Sequence, residues 1–291
     1  MTVPIDVENF EAHRRALMGL AYRMLGSRAE AEDVVQDAYL RWHAADRAAI
    51  EEPRHYLGTV VTRLCLDRMK SARARRELYV GPWLPEPVVD EAFDDGTAGD
   101  LAHDISVALM LVLERLTPLE RASFLLHDVF GLEFAEVARA LGRREASCRQ
   151  LAARARDHIE AGRPRFRTSH EDGHRLAAAF HQAAMSGDVQ ALKLILAEDV
   201  VLHSDGGGKR AAALKPIYGA DKVVRFFAGI ARKNAALLGT QVRPATINGM
   251  SGLVLREGDG SIDTMAFEHR DGRIVAIYAI RNPDKLHHVR F

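Results

Sequence analysis

The hydrophobic periodicity of this chain changes once, near residue 168, and that change limits the fold more than any other feature. Before it, apolar residues recur at the three- and four-residue spacing of amphipathic helices, as over residues 10–21 and 57–66. After it, helical spacing persists only over residues 175–196 and 221–233. The pattern predicts an all-α half followed by an α+β half.

The second half alternates apolar and polar residues in short segments separated by turn signals. Gly258-Asp259-Gly260 and Asp271-Gly272 are typical of hairpin turns. We expect a meandering antiparallel sheet. Its predicted strands cover residues 200–203, 215–218, 241–247, 253–256, 263–268 and 274–280.

Charge divides the chain along similar lines. Lys and Arg number 40, as do Asp and Glu, which excludes a uniformly basic nucleic-acid binder. Residues 79–105 carry seven acids and no Lys or Arg, with several prolines and glycines, as in a linker. We therefore expect helical domains at 1–78 and 106–168, an acidic linker at 79–105 and the α+β domain at 169–291.

The two cysteines, Cys65 and Cys148, are too few for a disulfide framework or a cysteine-based zinc site, and they suit a reducing cytoplasm. We expect no signal peptide and no membrane association, because no apolar run approaches the length of about 20 residues that a bilayer span needs.

Residues 132–158 have the pattern of a helix-turn-helix. Two short helices, at 132–141 and 144–158, flank Gly142, and the exposed side of the second is basic. Arg and Gln on such a helix can read base edges in the major groove. A helical hairpin with a solvated charged face fits the same pattern.

Three segments in order resemble extracytoplasmic-function sigma factors of the sigma-70 family. SRAEAEDVVQDAYLRWHAA (27–45) resembles conserved region 2, and residues 53–77 resemble the promoter-melting segment that follows it. Residues 113–156 resemble region 4, which reads the −35 element. The resemblance implies two all-α sigma domains, RNA polymerase core and promoter DNA as partners, a cytoplasmic location and a role in stress response.

The resemblance also implies site residues. Those for core polymerase are Glu32, Asp33, Gln36, Asp37, Leu40, Arg41 and Trp42. Those for the −10 element are Arg54, His55, Arg63, Arg68, Lys70, Arg73, Arg75 and Arg76, although Arg63 stands where many relatives carry Asn. Those for the −35 element are Arg143, Arg144, Ser147, Arg149, Gln150 and Arg154.

Three short motifs resemble the subgroup of these factors that carries a C-terminal SnoaL-like domain, an NTF2-like cone. This resemblance implies control by the fused domain in cis and no separate anti-sigma factor. We expect that domain to hold the sigma domains in a compact state. The implied regulatory residues are Trp83, Leu84, Pro85, Glu86 and Pro87 (WLPEP); Asp205, Gly206, Gly207, Gly208 and Lys209 (DGGGK); and Asn282, Pro283, Asp284, Lys285 and Leu286 (NPDKL).

Related cones house enzymes that use an Asp or a His, and His203, Asp205, Asp263 and His269 are available here. We expect these to be structural residues, with no catalytic group, cofactor or metal, and leave open a small ligand in the cone. Two alternatives remain: a SnoaL-like enzyme fused to a targeting module, and a one-component DNA-binding regulator that responds to a ligand.

Overall fold

The computed structural model describes residues 5–77, 79–90, 105–162, 170–233 and 240–291, without the side chains of 5–9, 71–77, 162, 170 and 233. The chain divides into two compact units. Residues 1–77 and 92–163 form the helical unit, and residues 78–91 and 164–291 form the α+β unit. The first part of the acidic linker is therefore a component of the α+β unit.

The helical unit begins with three helices. They are α1 (Ile5–Leu25), α2 (Arg28–Ala44) and α3 (Pro53–Glu77), with a short 3-10 turn at Arg47–Ala49. Ser27 starts α2, since its hydroxyl accepts a hydrogen bond from the backbone N–H of Glu30 at 3.1 Å.

Four further helices complete this unit: α4 (Val107–Arg115), α5 (Pro118–Phe124), α6 (Phe134–Leu141) and α7 (Glu145–Gly162). A π-helical turn, Leu125–Val129, extends α5. Gly142 ends α6 in the left-handed conformation, with φ of 63°, which lets the chain turn sharply into α7. The predicted helix-turn-helix is present, with first-helix residues 132 and 133 left outside α6.

The α+β unit contains three helices, α8 (His170–Ser186), α9 (Val189–Ile195) and α10 (Ala220–Lys233). The single helix predicted over residues 175–196 is wrong, because Gly187 adopts a φ of 69° and the Asp188 side chain caps a new helix. Position 187 marks a break that apolar spacing alone does not show.

Six strands form one sheet in the order β2-β1-β6-β5-β4-β3. They are β1 (Leu196–Asp205), β2 (Ile217–Tyr218), β3 (Gln241–Ile247), β4 (Met250–Arg256), β5 (Ile262–Arg270) and β6 (Arg273–Ile280). Strands β3 to β6 form the expected antiparallel meander. The expectation of an entirely antiparallel sheet is wrong at one place, since β1 runs parallel to β6.

Aromatic rings fill the core between the sheet and the helices. The Phe180 ring lies 4.9 Å from Phe227 and 5.2 Å from Phe267, and all three side chains are buried. Such a core holds helices against the sheet, and the expected α+β fold of this half is confirmed. Among the described residues, no helix has the length and apolar character needed to cross a membrane.

Candidate functional site

Helix α2 presents the predicted polymerase-binding residues on one outward face. Glu32, Asp33, Gln36 and Arg41 are exposed, and Leu40 is 58% exposed despite its apolar side chain. Trp42 differs: only 2% of it is exposed, and its ring packs 6.0 Å from that of Tyr56. Trp42 therefore supports the helix from inside.

Arg68 links this face to the predicted −10 set. Its guanidinium donates to Asp33 and Asp37 of α2, each at 3.1 Å. Lys70 pairs with Asp67 on its own helix at 2.8 Å. These pairs are open to water, so each contributes little to stability, at most about 1 kcal/mol.

The first half of α3 packs against the helix-turn-helix. Arg63 donates from Nε to the carbonyl of Ala140 at 2.8 Å and from Nη2 to that of Arg139 at 2.9 Å. These carbonyls end α6, where the helix dipole favours a positive charge. His55 Nδ1 lies 3.1 Å from a carboxylate oxygen of Glu136.

Apolar and buried contacts reinforce this packing. The Arg54 guanidinium lies 5.1 Å from the centre of the Phe130 ring. A side chain at Gly58 would come within 2.7 Å of that ring, so only glycine fits there. Arg121 of α5 is buried and donates to the carbonyl of Met24 in α1 at 2.6 Å and to Glu114 at 2.9 Å.

We call this set of contacts the α3–α6 clamp: Arg54, His55, Gly58 and Arg63 on α3 against Phe130, Glu136, Arg139 and Ala140. It occupies three of the predicted −10 residues. Of the other five, Arg68 and Lys70 lie outside the clamp, and the side chains of Arg73, Arg75 and Arg76 lie outside the described residues.

The second helix of the helix-turn-helix keeps its basic face open. Arg143, Arg144, Arg149 and Gln150 are exposed and Ser147 is half-buried. Arg154, also exposed, has a Glu120 oxygen 3.7 Å away. The inward side is formed by Cys148, Ala152, Ala155 and Ile159.

The three motifs of the α+β unit meet at one buried carboxylate, that of Asp205 at the end of β1. It has no exposed surface. Its Oδ1 accepts from the Tyr79 hydroxyl at 2.6 Å and from the Gly207 N–H at 3.0 Å. Its Oδ2 accepts from the Leu84 N–H at 2.9 Å and from Lys285 Nζ at 2.8 Å. One side chain thus joins the linker to DGGGK and NPDKL.

Lys285 is held between aromatic rings of the linker. Its ammonium lies 4.4 Å from the Trp83 ring and 4.8 Å from the Tyr79 ring, and it donates to the Leu84 carbonyl. The desolvated cation is stabilised by both ring faces. Burial and the nearby Asp205 carboxylate raise the pKa of the Tyr79 hydroxyl, which therefore stays protonated and able to donate.

The glycines of DGGGK allow close approach. Gly207 and Gly208 have φ of 59° and 74°. A side chain at Gly207 would overlap Asn282, whose amide donates to the Tyr79 hydroxyl at 2.8 Å. One at Gly208 would press on Val80. The loop fits the linker because it lacks side chains.

Residues 88–90 of the linker lie along the edge of the sheet, next to β3. Val88 and Asn248 exchange two hydrogen bonds, and Val89 forms an antiparallel bridge with Ile247. Asp90 pairs with Arg243 at 2.6 Å. Leu84 and Val88 are buried here. We call residues 79–90 with their partners the linker dock.

The candidate catalytic residues have structural partners. Asp205 belongs to the linker dock, and Asp263 is bonded to Arg281 at 2.8 Å. His203 stacks on Tyr278 with ring centres 5.3 Å apart. His269 and Ser251 pack over Gly173. In the described part of the chain no group of His, Cys, Asp and Glu has the arrangement of a metal site.

Comparisons with known proteins agree with this architecture. The Sigma-70 region 2 model matches residues 10–75, and the Sigma-70 region 4 model matches residues 106–159. These two regions in this order define an RNA polymerase sigma factor.

The chain is 41% identical to the ECF RNA polymerase sigma factor SigJ of Mycobacterium tuberculosis, over 97% of this chain and 93% of that one. It is 36% identical to the probable ECF sigma factor SigI of the same species, over 64% and 65%. The crystal structure of SigJ superposes with a TM-score of 0.75 at 38% identity, covering 97% and 98%. The chain belongs to the ECF RNA polymerase sigma factor family, and its partners are core polymerase and promoter DNA.

Sequence reasoning missed several residues of these sites. Tyr79 precedes WLPEP and carries no motif signal, and Asn248 is a turn residue. Arg121 and Phe130 lie within region 4 and carry no motif signal of their own. Only their contacts across the fold show their roles.

We predict that replacing Lys285 by Met destabilises the α+β unit by about 3–5 kcal/mol, because the Asp205 charge is then buried without its partner. The matched control is Lys209→Met, which breaks the exposed Lys209–Asp284 pair and should cost less than about 1 kcal/mol. Urea unfolding of the full-length chain measures both. Equal losses would contradict the assignment of Asp205–Lys285 as the buried pair of the dock.

Proposed function

We propose that this sigma factor is controlled in cis by two closures, the α3–α6 clamp and the linker dock. The observation that carries the proposal is the position of residues 79–90, which are folded into the α+β unit instead of spanning freely between regions 2 and 4. Both closures are held by the chain's own residues, so no separate anti-sigma factor is needed.

The outward face of α2 is the proposed polymerase contact. Its acids and the exposed Leu40 suit a partly charged, partly apolar partner helix. Because this face is open within the helical unit, core polymerase can engage α2 while the clamp is still closed. Trp42 acts indirectly, by fixing α2 against the core.

The clamp keeps residues of α3 from contacting the −10 element. Strand separation needs cations for the phosphates and surfaces for unstacked bases. Arg54, His55 and Arg63 supply such groups, and in the clamp they bond region 4. Promoter melting by α3 therefore requires regions 2 and 4 to separate.

The linker dock withholds the first part of the acidic segment, residues 79–90, which includes Glu86 and Asp90. A chain of acids can occupy a cationic channel in place of nucleic acid, but Trp83 and Leu84 cannot leave the dock without exposing Asp205 and Lys285. We propose that binding to core polymerase, in the cytoplasm, provides the free energy for undocking.

The α+β domain acts here as a regulator and not as an enzyme. This assignment is supported by the relative SigJ, which covers 97% of this chain and is named a sigma factor. A cone ligand is not needed for this mechanism.

Weakening the linker dock should raise transcription. Tyr79→Phe removes the hydroxyl that bonds Asp205 and Asn282, and a loss of about 1 kcal/mol shifts the docking equilibrium about fivefold. The control is Tyr218→Phe, on a tyrosine that is 62% exposed. Transcript yield from core polymerase at limiting factor should increase with Tyr79→Phe alone. Unchanged or lower yield would contradict control through the dock.

Locking the α3–α6 clamp should block promoter melting. We expect His55→Cys/Glu136→Cys, joined by a short bis-maleimide, to bind core polymerase but to leave the −10 region double-stranded, as read by permanganate footprinting. Each single-cysteine variant treated in the same way is the control. The native cysteines are buried. Normal melting by the cross-linked factor would refute the clamp.

The exposed face of α7 should set −35 preference. Gln150→Ala removes a side chain able to pair with adenine, at a discrimination cost of about 1–3 kcal/mol at one position. Selection from promoters randomised at −35 should show relaxed preference there. Arg41→Ala, on the polymerase face, should lower yield without changing the preferred sequence. A preference unaffected by Gln150→Ala would remove that residue from the reading face.

A further inference from the structure

A cluster of four charged side chains lies beside the linker dock, and its hydrogen bonds and ion pairs involve none of the described linker residues 79–90. It contains Glu257 at the end of β4, Asp263 on β5, Arg281 after β6 and Arg210 after β1. Arg281 donates to Asp263 at 2.8 Å and to Glu257 at 2.5 Å, and Arg210 donates to Glu257 at 2.7 Å. Two cations thus hold two carboxyls close together.

One oxygen in this cluster lacks a donor. Asp263 is only 8% exposed, and its Oδ1 is buried and accepts no hydrogen bond from any residue that the structure describes. The Glu257 carboxyl lies within hydrogen-bonding reach of Asp263. Two ionised carboxylates have no hydrogen to share, whereas one proton between them completes an O–H···O bond and removes the repulsion.

The chemistry of the site favours that proton. Burial raises the pKa of Asp263 to about 6, with Glu257 adding to the effect and Arg281 opposing it. Burial acts in the same direction on Glu257, but the hydrogen bond with Asp263 and the charges of Arg281 and Arg210 outweigh it and lower the pKa of Glu257. The pair therefore holds one proton in mild acid, nearer to Asp263.

The same two arginines shape the loop that receives the linker. The backbone N–H of Arg281 donates to the carbonyl of Asp205 at 2.8 Å, and its Nη1 donates to that of Ala211 at 2.8 Å. The N–H of Arg210 donates to the Gly206 carbonyl at 3.1 Å. The arginines contact both the carboxyls and residues 205–211. A change in the hydrogen bonds between the carboxyls and the arginines therefore affects that loop directly.

We propose that Glu257 and Asp263 share one proton and that this proton tightens the linker dock, which makes the dock a pH-sensitive latch. When the pair is protonated, Asp263 is satisfied by Glu257, and Arg281 stays on the loop. When the pair is fully ionised, the second buried negative charge attracts the Arg281 guanidinium more strongly. Arg281 then holds residues 205–211 less firmly. The biological consequence of the latch rests on the proposed control in cis.

The direction of the pH effect follows from linkage. The pKa of Asp263 is higher in the folded dock than its ordinary value near 3.8, so the folded state binds the proton more tightly. The resulting stabilisation is complete at low pH and is lost as the pH rises through about 6. The linker is held more firmly in mild acid than at neutral or higher pH.

Other charged groups face this region and need controls. Asp259, in the β4–β5 turn, lies 4.0 Å from Arg210. Lys209 and Asp284 pair across the loop at 2.6 Å. His288 lies 2.8 Å from the Pro87 carbonyl of the linker and therefore needs its own control.

The test is a pH titration of the full-length chain labelled with 5-fluorotryptophan. The chain has two tryptophans, so two ¹⁹F resonances are expected, and Trp83→Phe assigns them. The Trp83 resonance should move with a midpoint near pH 6 while that of Trp42 stays constant. Asp263→Asn, which mimics the protonated group, should hold Trp83 at its low-pH position throughout.

Further variants test the carboxyl pair separately from the other charged groups nearby. Glu257→Gln can donate to Asp263 and should move the midpoint to lower pH, which tests the pair if Asp263→Asn does not fold. Asp259→Asn and His288→Gln should leave the midpoint unchanged. The latch is overturned if the transition survives Asp263→Asn in folded protein, or if His288→Gln abolishes it.

This readout follows the linker and not RNA synthesis. A Trp83 transition without any pH response of transcription would count against control in cis and leave the latch standing. Absence of the transition would overturn the latch and leave the transcription tests of the dock unaffected.

Discussion

The buried carboxylate of Asp205 is the constraint on which the α+β unit depends. A charge removed from water needs an opposite charge and a full set of hydrogen bonds. Asp205 obtains them from three stretches that are far apart in sequence: the linker, the glycine loop and the segment after β6. Asp205 is fully satisfied only with the linker in place, so folding of this domain and capture of the linker are coupled.

The helical unit is closed by different chemistry. The clamp combines one cation on backbone carbonyls, a His–Glu contact and a ring packed on a glycine. No single contact dominates, and several are partly exposed, which suits a closure that must open. Core polymerase can shift such an equilibrium only by its preference for the open form. In the proposed mechanism, core polymerase has to oppose both the clamp and the dock.

Much of this fold could be predicted from the sequence, because periodicity and turn residues act locally. The helix-turn-helix and the β3–β6 meander followed from such signals. The parallel pairing of β1 with β6 did not, since it depends on contacts between distant segments. The three dock motifs were identified by resemblance, but their meeting at Asp205 and the part played by Tyr79 required the structure. Trp42, assigned to a surface, is buried because it faces Tyr56.

The bonding of Arg63 affects how this interface can vary among relatives. Its partners across the clamp are main-chain carbonyls, which every residue type supplies. Side chains at positions 139 and 140 can therefore vary in relatives without loss of these bonds, provided that the helix keeps its end. Replacement of the arginine itself removes both bonds together. Variation at this interface should therefore be one-sided. Positions 139 and 140 of the region 4 helix can vary freely, whereas position 63 of region 2 is constrained.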